Sequence, residues 1–430
     1  MANSDSARGG GPVAAPACDT AASDTAASDE VRARWSGAFR VGVPGLLTLA
    51  IVYGYGRYGY GLFLPQLQRE FGGSAGVLGA ISSVGYVAEL VVLVVVARLS
   101  GRCSPRVPVV IGGLSAAVGM AMMAAAQSTA VLAIGVALAG TAPGWVWAPY
   151  SDAVAASTRP DARGHALSMI STGTTFGVMV AGPAVLLVTG SGWRTIWFGT
   201  ACLALLVTAW NFLVLPKAAH TGRSGRNPPR LRWYALLQTA RHRRLVAAAF
   251  SVGLVGAVYW SYAGILVAGG DHESSSAPLF WSLIGVAGVI GTATGALVGK
   301  WGMPTVFVVA QLCTLLSCGI LAMGSPSSVM FVVAAALYGT GFMVSGTVVS
   351  LWSSRVFPDR PTEGFSWVII ALTVGAAAGP AVFGILVDAF DIEIVFAVLS
   401  IVVAATFLVR PRRMDVDLGR GPPDPPGRYQ

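Results

Sequence analysis

The chain has 430 residues, 54% of them hydrophobic and only 11% charged, with a net charge of +9 and a mean hydropathy of +0.68. Soluble domains carry about 25% charged residues, so a water-facing globule is excluded. The positive balance does not mark a nucleic-acid partner either, because its placement along the chain has a simpler cause, given below.

Residues 1–40 are rich in Ala, Ser, Asp and Gly and carry no aromatic before Trp35. Such a segment buries too little apolar surface to fold and reads as a disordered tail. It lacks the apolar core and cleavage site of a signal peptide, so the first apolar run is expected to be kept as a span. From there the apolar runs approach the roughly 20 residues that cross about 30 Å of hydrocarbon. They fall near 41–65, 76–98, 107–126, 130–156, 165–189 and 194–215, then near 245–268, 279–299, 304–323, 329–354, 365–388 and 391–410. Lipid offers no partner to free backbone groups, so each run is a helix. The expected fold is an all-α integral membrane protein of twelve transmembrane helices. Several connections, such as 66–75, 127–129 and 189–193, are short enough to force antiparallel neighbours.

The basic residues orient the bundle. With a cytoplasmic N-terminus, twenty-five of the 28 lysines and arginines lie inside, eight of them in the 217–244 linker; only Arg69 and Arg194 lie outside, and Arg57 lies within a span. The outer connections carry Asp271, Glu273, Asp391 and Glu393 instead. This is a strong positive-inside pattern. It places both termini in the cytoplasm, assigns the chain to the cell membrane, and makes the lipid bilayer, not nucleic acid, the partner of the positive charge. A contact between the linker and anionic lipid is the functional alternative to a purely topological role.

The chain repeats itself. Leu99-Ser100-Gly101-Arg102 at the end of the second run matches Leu297-Val298-Gly299-Lys300 at the end of the eighth. Gly182-Pro183 matches Gly379-Pro380, and Pro160-Asp161 matches Pro358-Asp359. A near-constant offset at three separate places implies two pseudo-symmetric six-helix halves, 41–216 and 245–410, joined by the 217–244 linker and followed by a tail, 411–430.

At this point the sequence resembles the major facilitator superfamily. The stretch 97–106, with Ala97, Leu99, Arg102 and Arg106, is similar to the family's cytoplasmic loop signature. Gly173, Gly177 and Gly182-Pro183 resemble its fifth-helix glycine-proline motif. Residues 56–65, G-R-Y-x-Y-x-x-F-L-P, are similar to a bacterial branch related to cyanate permeases. The resemblance implies a secondary transporter working by alternating access. Two elements depart from the pattern. Gly101 and Gly299 stand where the loop signature has an acid, and the fourth-helix arginine of proton-coupled drug antiporters would fall near Val136.

Within this frame the charged residues inside spans are the candidates. Arginine at mid-helix costs at least ~2.5–3.5 kcal/mol, so it faces a protein interior or a pathway. On an α-helix, at 100° per residue, Tyr53, Gly54, Tyr60 and Gly61 lie within about 60° of Arg57. One face then carries a fixed positive charge between two phenols. The planar guanidinium suits a carboxylate-like solute, and a structural ion pair is the plainer alternative.

Glu89 shares a face with Ser82, Gly85 and Tyr86 and lies within reach of Arg57. It is the candidate for proton coupling, and a permanent salt bridge is again the alternative. Trp147 and, in the second half, Tyr259 and Trp260 are candidate aromatic walls of a substrate site. Asp152, Arg102, Arg106 and Lys300 are expected at gates or cytoplasmic loops. Gly173, Gly177, Gly182, Pro183, Gly379 and Pro380, and the Gly291–Gly295–Gly299 series, read as helix packing.

Five scattered cysteines and four scattered histidines give no metal or disulfide spacing. No Walker-type loop is present, so neither a cofactor nor enzymatic activity is expected. The expected function is secondary transport of a small organic anion with protons, by a monomer. A proton-driven exporter of a hydrophobic drug or metabolite, and a transport-fold receptor that binds without translocating, are the alternatives.

Overall fold

The computed structural model describes residues 39–99, 103–187, 192–217, 239–268, 276–324, 327–358 and 361–412. The N-terminal tail before 39, most of the linker, Arg102 and the chain beyond 412 lie outside the described residues. Twelve of the described helices are long and apolar enough to cross a membrane. They are α1 (Phe39–Arg57), α2 (Ala75–Leu99), α3 (Arg106–Ala125), α4 (Thr129–Ser157), α5 (Arg163–Leu186), α6 (Trp193–Val214), α7 (Ala240–Ala268), α8 (Ser276–Trp301), α9 (Met303–Leu321), α10 (Ser328–Val356), α11 (Gly364–Ala389) and α12 (Ile392–Val409). Helices satisfy their own backbone groups, which is why these runs fold this way in hydrocarbon. Large apolar side chains point outward from nearly every helix, among them Leu206, Leu213, Ile385 and Ile401, as suits a surface bathed in lipid rather than water.

The helix ends are set by local chemistry. Ser128 and Ser327 each cap the helix that follows, accepting from the N–H groups of Val131 and Met330. They occupy matching places in the two halves, before α4 and α10. At the other end of α4, Arg163 donates to the carbonyls of Thr158 and Ala155. Arg106 likewise donates to the carbonyl of Leu215 at the end of α6 and lies over the Phe212 ring. Cations at helix C-termini are worth about 0.3–1 kcal/mol each. Arg163→Ala should therefore lower thermal stability in detergent by about that amount and leave transport intact; a large loss of transport would make Arg163 part of the moving parts.

The halves are built alike. In the first, α5 lies against α1 so closely that a Cβ at Gly173 would stand 2.2 Å from the Leu46 carbonyl oxygen, and one at Gly177 2.2 Å from that of Ala50. In the second, α11 meets α7 the same way, with Gly375 2.0 Å from the Phe250 carbonyl and Gly379 2.9 Å from that of Leu254. Small residues let backbones approach where lipid gives no hydrophobic drive. The Gly291 series behaves differently from the packing expectation. Gly291 packs on Met343, but Gly295 and Gly299 have nothing within 4 Å of a Cβ, because a 3-10 segment, Val289–Ala293, shifts the face presented by the last turns of α8.

The two halves meet along a seam at one end of the bundle, opposite the end that bears Arg98, Arg106, Arg163 and Lys300. Asp388 of α11 accepts from the Gly76 N–H at the start of α2. Ser83 accepts from the Ala381 N–H, Ser82 pairs with Ser261 at 3.3 Å, and the Tyr262 hydroxyl donates to Ala75 and Pro380 carbonyls. Gly182 lies against the Pro278 carbonyl, so the Gly182-Pro183 motif sits on the seam between α5 and α8. At the basic end, Gly164, Gly295, Gly299 and Gly346 have no atom within 4 Å of a Cβ position.

Candidate functional site

The site begins with an irregular helix. Residues Ala50–Arg57 form a π-helix, and the Tyr58 N–H donates to the carbonyl of Tyr53 at 3.1 Å, five residues back. The chain then continues as Gly59–Leu62 and Leu64–Phe71, broken at Phe63. A π-turn holds one residue more than an α-turn, so it changes which side chains share a face with Arg57.

Arg57 and Glu89 come together. Arg57 Nη1 donates to Glu89 Oε1 at 2.6 Å and also to Oε2, with side chains only 7% and 3% exposed. Three phenol rings surround the guanidinium: Tyr53 at 5.6 Å, Tyr58 at 5.9 Å and Tyr86 at 4.8 Å from its carbon to the ring centres. Aromatic faces attract a cation, and more strongly when it is desolvated. Arg57 Nε is buried without a hydrogen-bond partner, as is Trp260 Nε1. Buried donors of this kind cost about 1–3 kcal/mol each when left unmade; an acceptor-bearing solute would recover part of that.

The candidates from the sequence divide. Tyr53 stays beside Arg57 and meets the edge of Trp147 at 6.4 Å, so Trp147 packs on a ring that borders the pair. Tyr60 does not share the Arg57 face: its hydroxyl donates to the Leu78 carbonyl at 3.0 Å, and it is buried where the chain passes the start of α2. The expectation assumed one unbroken α-helix, whereas the chain passes from the π-helix to Gly59–Leu62 at Tyr58, and Tyr58 lies beside the guanidinium instead. Trp260 does face the first half, stacked on Tyr58 at 4.7 Å and 29°. Tyr259 does not join it. One residue away and 100° round the helix, it stacks on Tyr338 and bonds Ser317 inside the second half, where it serves as core.

The remaining candidates lie elsewhere. Asp152 lines a crevice of about 40 Å³ at the basic end with Leu99, Cys103, Trp145 and Pro149. That is room for a few water molecules. Lys300 lies over the Trp301 ring at 5.7 Å. Arg106 is engaged at the end of α6, as described above. The described residues contain no group of three or more His, Cys, Asp or Glu placed to hold a metal ion.

Sequence reasoning missed Tyr58 and Phe342. Phe342 of α10 meets Tyr58 edge-on at 6.2 Å and Trp260 at 5.9 Å. No charge or motif marks either residue; Tyr58 was hidden by the helical register and Phe342 by the fact that only tertiary packing brings it there.

The chain has recognisable relatives. The family model described as Major Facilitator Superfamily matches residues 46–362. An uncharacterised transporter of Escherichia coli, YgaY, is 32% identical over 153 residues, a match that covers 34% of this chain and 37% of that relative's length. The purine ribonucleoside efflux pump NepI of Salmonella enteritidis is 23% identical over 80% of this chain and 87% of its own. Among solved structures, the nucleoside transporter NupG superposes with a TM-score of 0.71 at 13% identity, covering 87% of this chain and 98% of that one. That last likeness is one of fold.

Proposed function

The chain belongs to the major facilitator superfamily, and from that premise we propose that it moves a small organic anion with protons, binding it at the Arg57–Glu89 pair. Arg57 carries this reading. It is a permanently charged group, buried near the junction of the halves, with one donor unmatched and rings from both halves close by. Glu89 is its counter-charge when no solute is present. A proton on Glu89 cancels that charge and frees the guanidinium for a carboxylate-like group. The charged and titratable groups around the pair are Arg57, Tyr53 and Tyr58 from α1 and its continuation, and Tyr86 from the helix of Glu89; Gly144 of α4 packs on the Glu89 backbone carbonyl. The protein works as a monomer in the cell membrane with both termini in the cytoplasm. The seam then closes the outer side.

A second reading is favoured by the pairing itself. Because Glu89 already neutralises Arg57, a neutral planar solute that stacks on Tyr58, Trp260 or Phe342 also fits. Two relatives, NepI and NupG, are named for nucleosides.

A ligand-stabilisation screen of the purified protein separates these. Aromatic carboxylates should raise the Tm of the wild type and not of Arg57→Ala. Purine nucleosides stabilising both equally would favour the second reading. In proteoliposomes, an inward proton gradient should drive uptake by the wild type, and Glu89→Gln should reduce it to the level without a gradient. Uptake by Glu89→Gln that keeps the wild-type pH dependence would remove Glu89 from coupling. Counterflow of labelled ligand distinguishes a transporter from a receptor, which binds and never exchanges.

A further inference from the structure

Tyr58 touches both the charge pair and the second half. Its ring lies 5.9 Å from the Arg57 guanidinium carbon; it also stacks on Trp260 at 4.7 Å and meets Phe342 edge-on. Trp260 is anchored in turn by ring contacts with Trp281 at 5.8 Å and Tyr338 at 5.5 Å, so it moves with its own half. Three residues beyond Tyr58, Gly61 lies so close to the Trp260 carbonyl oxygen that a Cβ would stand 1.8 Å from it. The next residue of α7, Ser261, pairs with Ser82 of α2. The segment 57–61 therefore carries, within little more than one turn, the buried ion pair, a ring stack across the halves and a backbone contact across the halves.

We propose that Tyr58 is a positioning residue that links the state of the Arg57–Glu89 pair to the closed seam. With Arg57 held by Glu89, the π-turn keeps Tyr58 seated on Trp260 and this end stays shut. When Glu89 loses its charge, Arg57 shifts toward the solute, Tyr58 leaves Trp260 and the halves part at that end. This rests on the reading of Glu89 as the coupling carboxylate.

The test uses the full chain in lipid, with spin labels at Leu187 and Phe390, exposed positions at the seam end of the two halves. Glu89→Gln should increase the long-distance population. Tyr58→Ala should increase it about two- to twelve-fold, the equilibrium weight of one aromatic pair. Adding Glu89→Gln to Tyr58→Ala should then change it little further, because the link is already cut. Tyr58→Phe keeps the ring, controls for folding, and should respond to Glu89→Gln like the wild type. Full additivity of the two changes would overturn the role of Tyr58 and leave the coupling reading standing. No response to Glu89→Gln in the wild-type background would overturn both.

Discussion

Glu89→Leu alone should cost about 3–5 kcal/mol of unfolding free energy, and adding Arg57→Leu should return most of it. A buried ion pair is weak evidence of net stability, but breaking one by removing a single partner leaves a charge with no water. Here the two partners are unequal. A carboxylate left alone can be neutralised by a proton; a guanidinium has no accessible neutral form. The cation remaining in Glu89→Leu keeps only the faces of Tyr53, Tyr58 and Tyr86, which cannot accept its hydrogen bonds as a carboxylate does. Arg57→Leu should therefore be the milder single change. Thermal unfolding of the four proteins in one detergent measures the cycle. Additive losses would mean the two side chains do not act on each other.

Gly61→Ala is expected to disfavour the described state by about 1–3 kcal/mol, or ~5- to 150-fold in the ratio of closed to open seam. The methyl would stand 1.8 Å from the Trp260 carbonyl oxygen, 2.8 Å from its carbon and 3.0 Å from the Ser261 Cα. These are backbone atoms, so no rotamer change relieves the clash and the halves must separate. Gly295→Ala in α8 meets open space and serves as the control, expected to leave the populations unchanged. Reactivity of a cysteine at Ala263, fully buried beside the seam, toward a thiol reagent that does not cross the membrane reads the difference. Equal labelling in the two variants would show that this contact does not limit opening.

Hydropathy reads the thickness of the bilayer, and so it located all twelve spans. It reads helix ends less well. The first span was expected to stop near Pro65, yet helix runs on to Phe71 and only 72–74 connect it to α2. Residues Gln66 to Phe71 are polar enough to leave the hydrocarbon without leaving the helix, and the end is set by Gly72 at φ +61, a left-handed cap. At the site, Arg57 and Glu89 were legible because a charge within an apolar run has few reasons to be there. The partners of Arg57 were only half legible. A helical wheel assumes one spacing throughout, and nothing in Tyr-Gly-Tyr-Gly-Arg-Tyr-Gly-Tyr-Gly announces a π-turn. Which of Tyr259 and Trp260 faces the other half depends on how the halves dock, and local sequence does not contain that.

Apart from the close fits of Gly61 and Gly182, the contacts inside each half and those between halves differ in what water can do to them. Within a half, Gly173, Gly177, Gly253 and Gly375 press against carbonyls of Leu46, Ala50, Leu372 and Phe250. Such fits are lost all at once on separation, and no solvent molecule replaces them. Several cross-half contacts are ordinary hydrogen bonds: Gly76 to Asp388, Ala381 to Ser83, Ser82 to Ser261. A water can take over each of these at nearly equal enthalpy. The molecule is thus two stiff shells whose parting line is wettable at its rim, so the same solvent that is excluded when that end shuts lowers the barrier to its reopening.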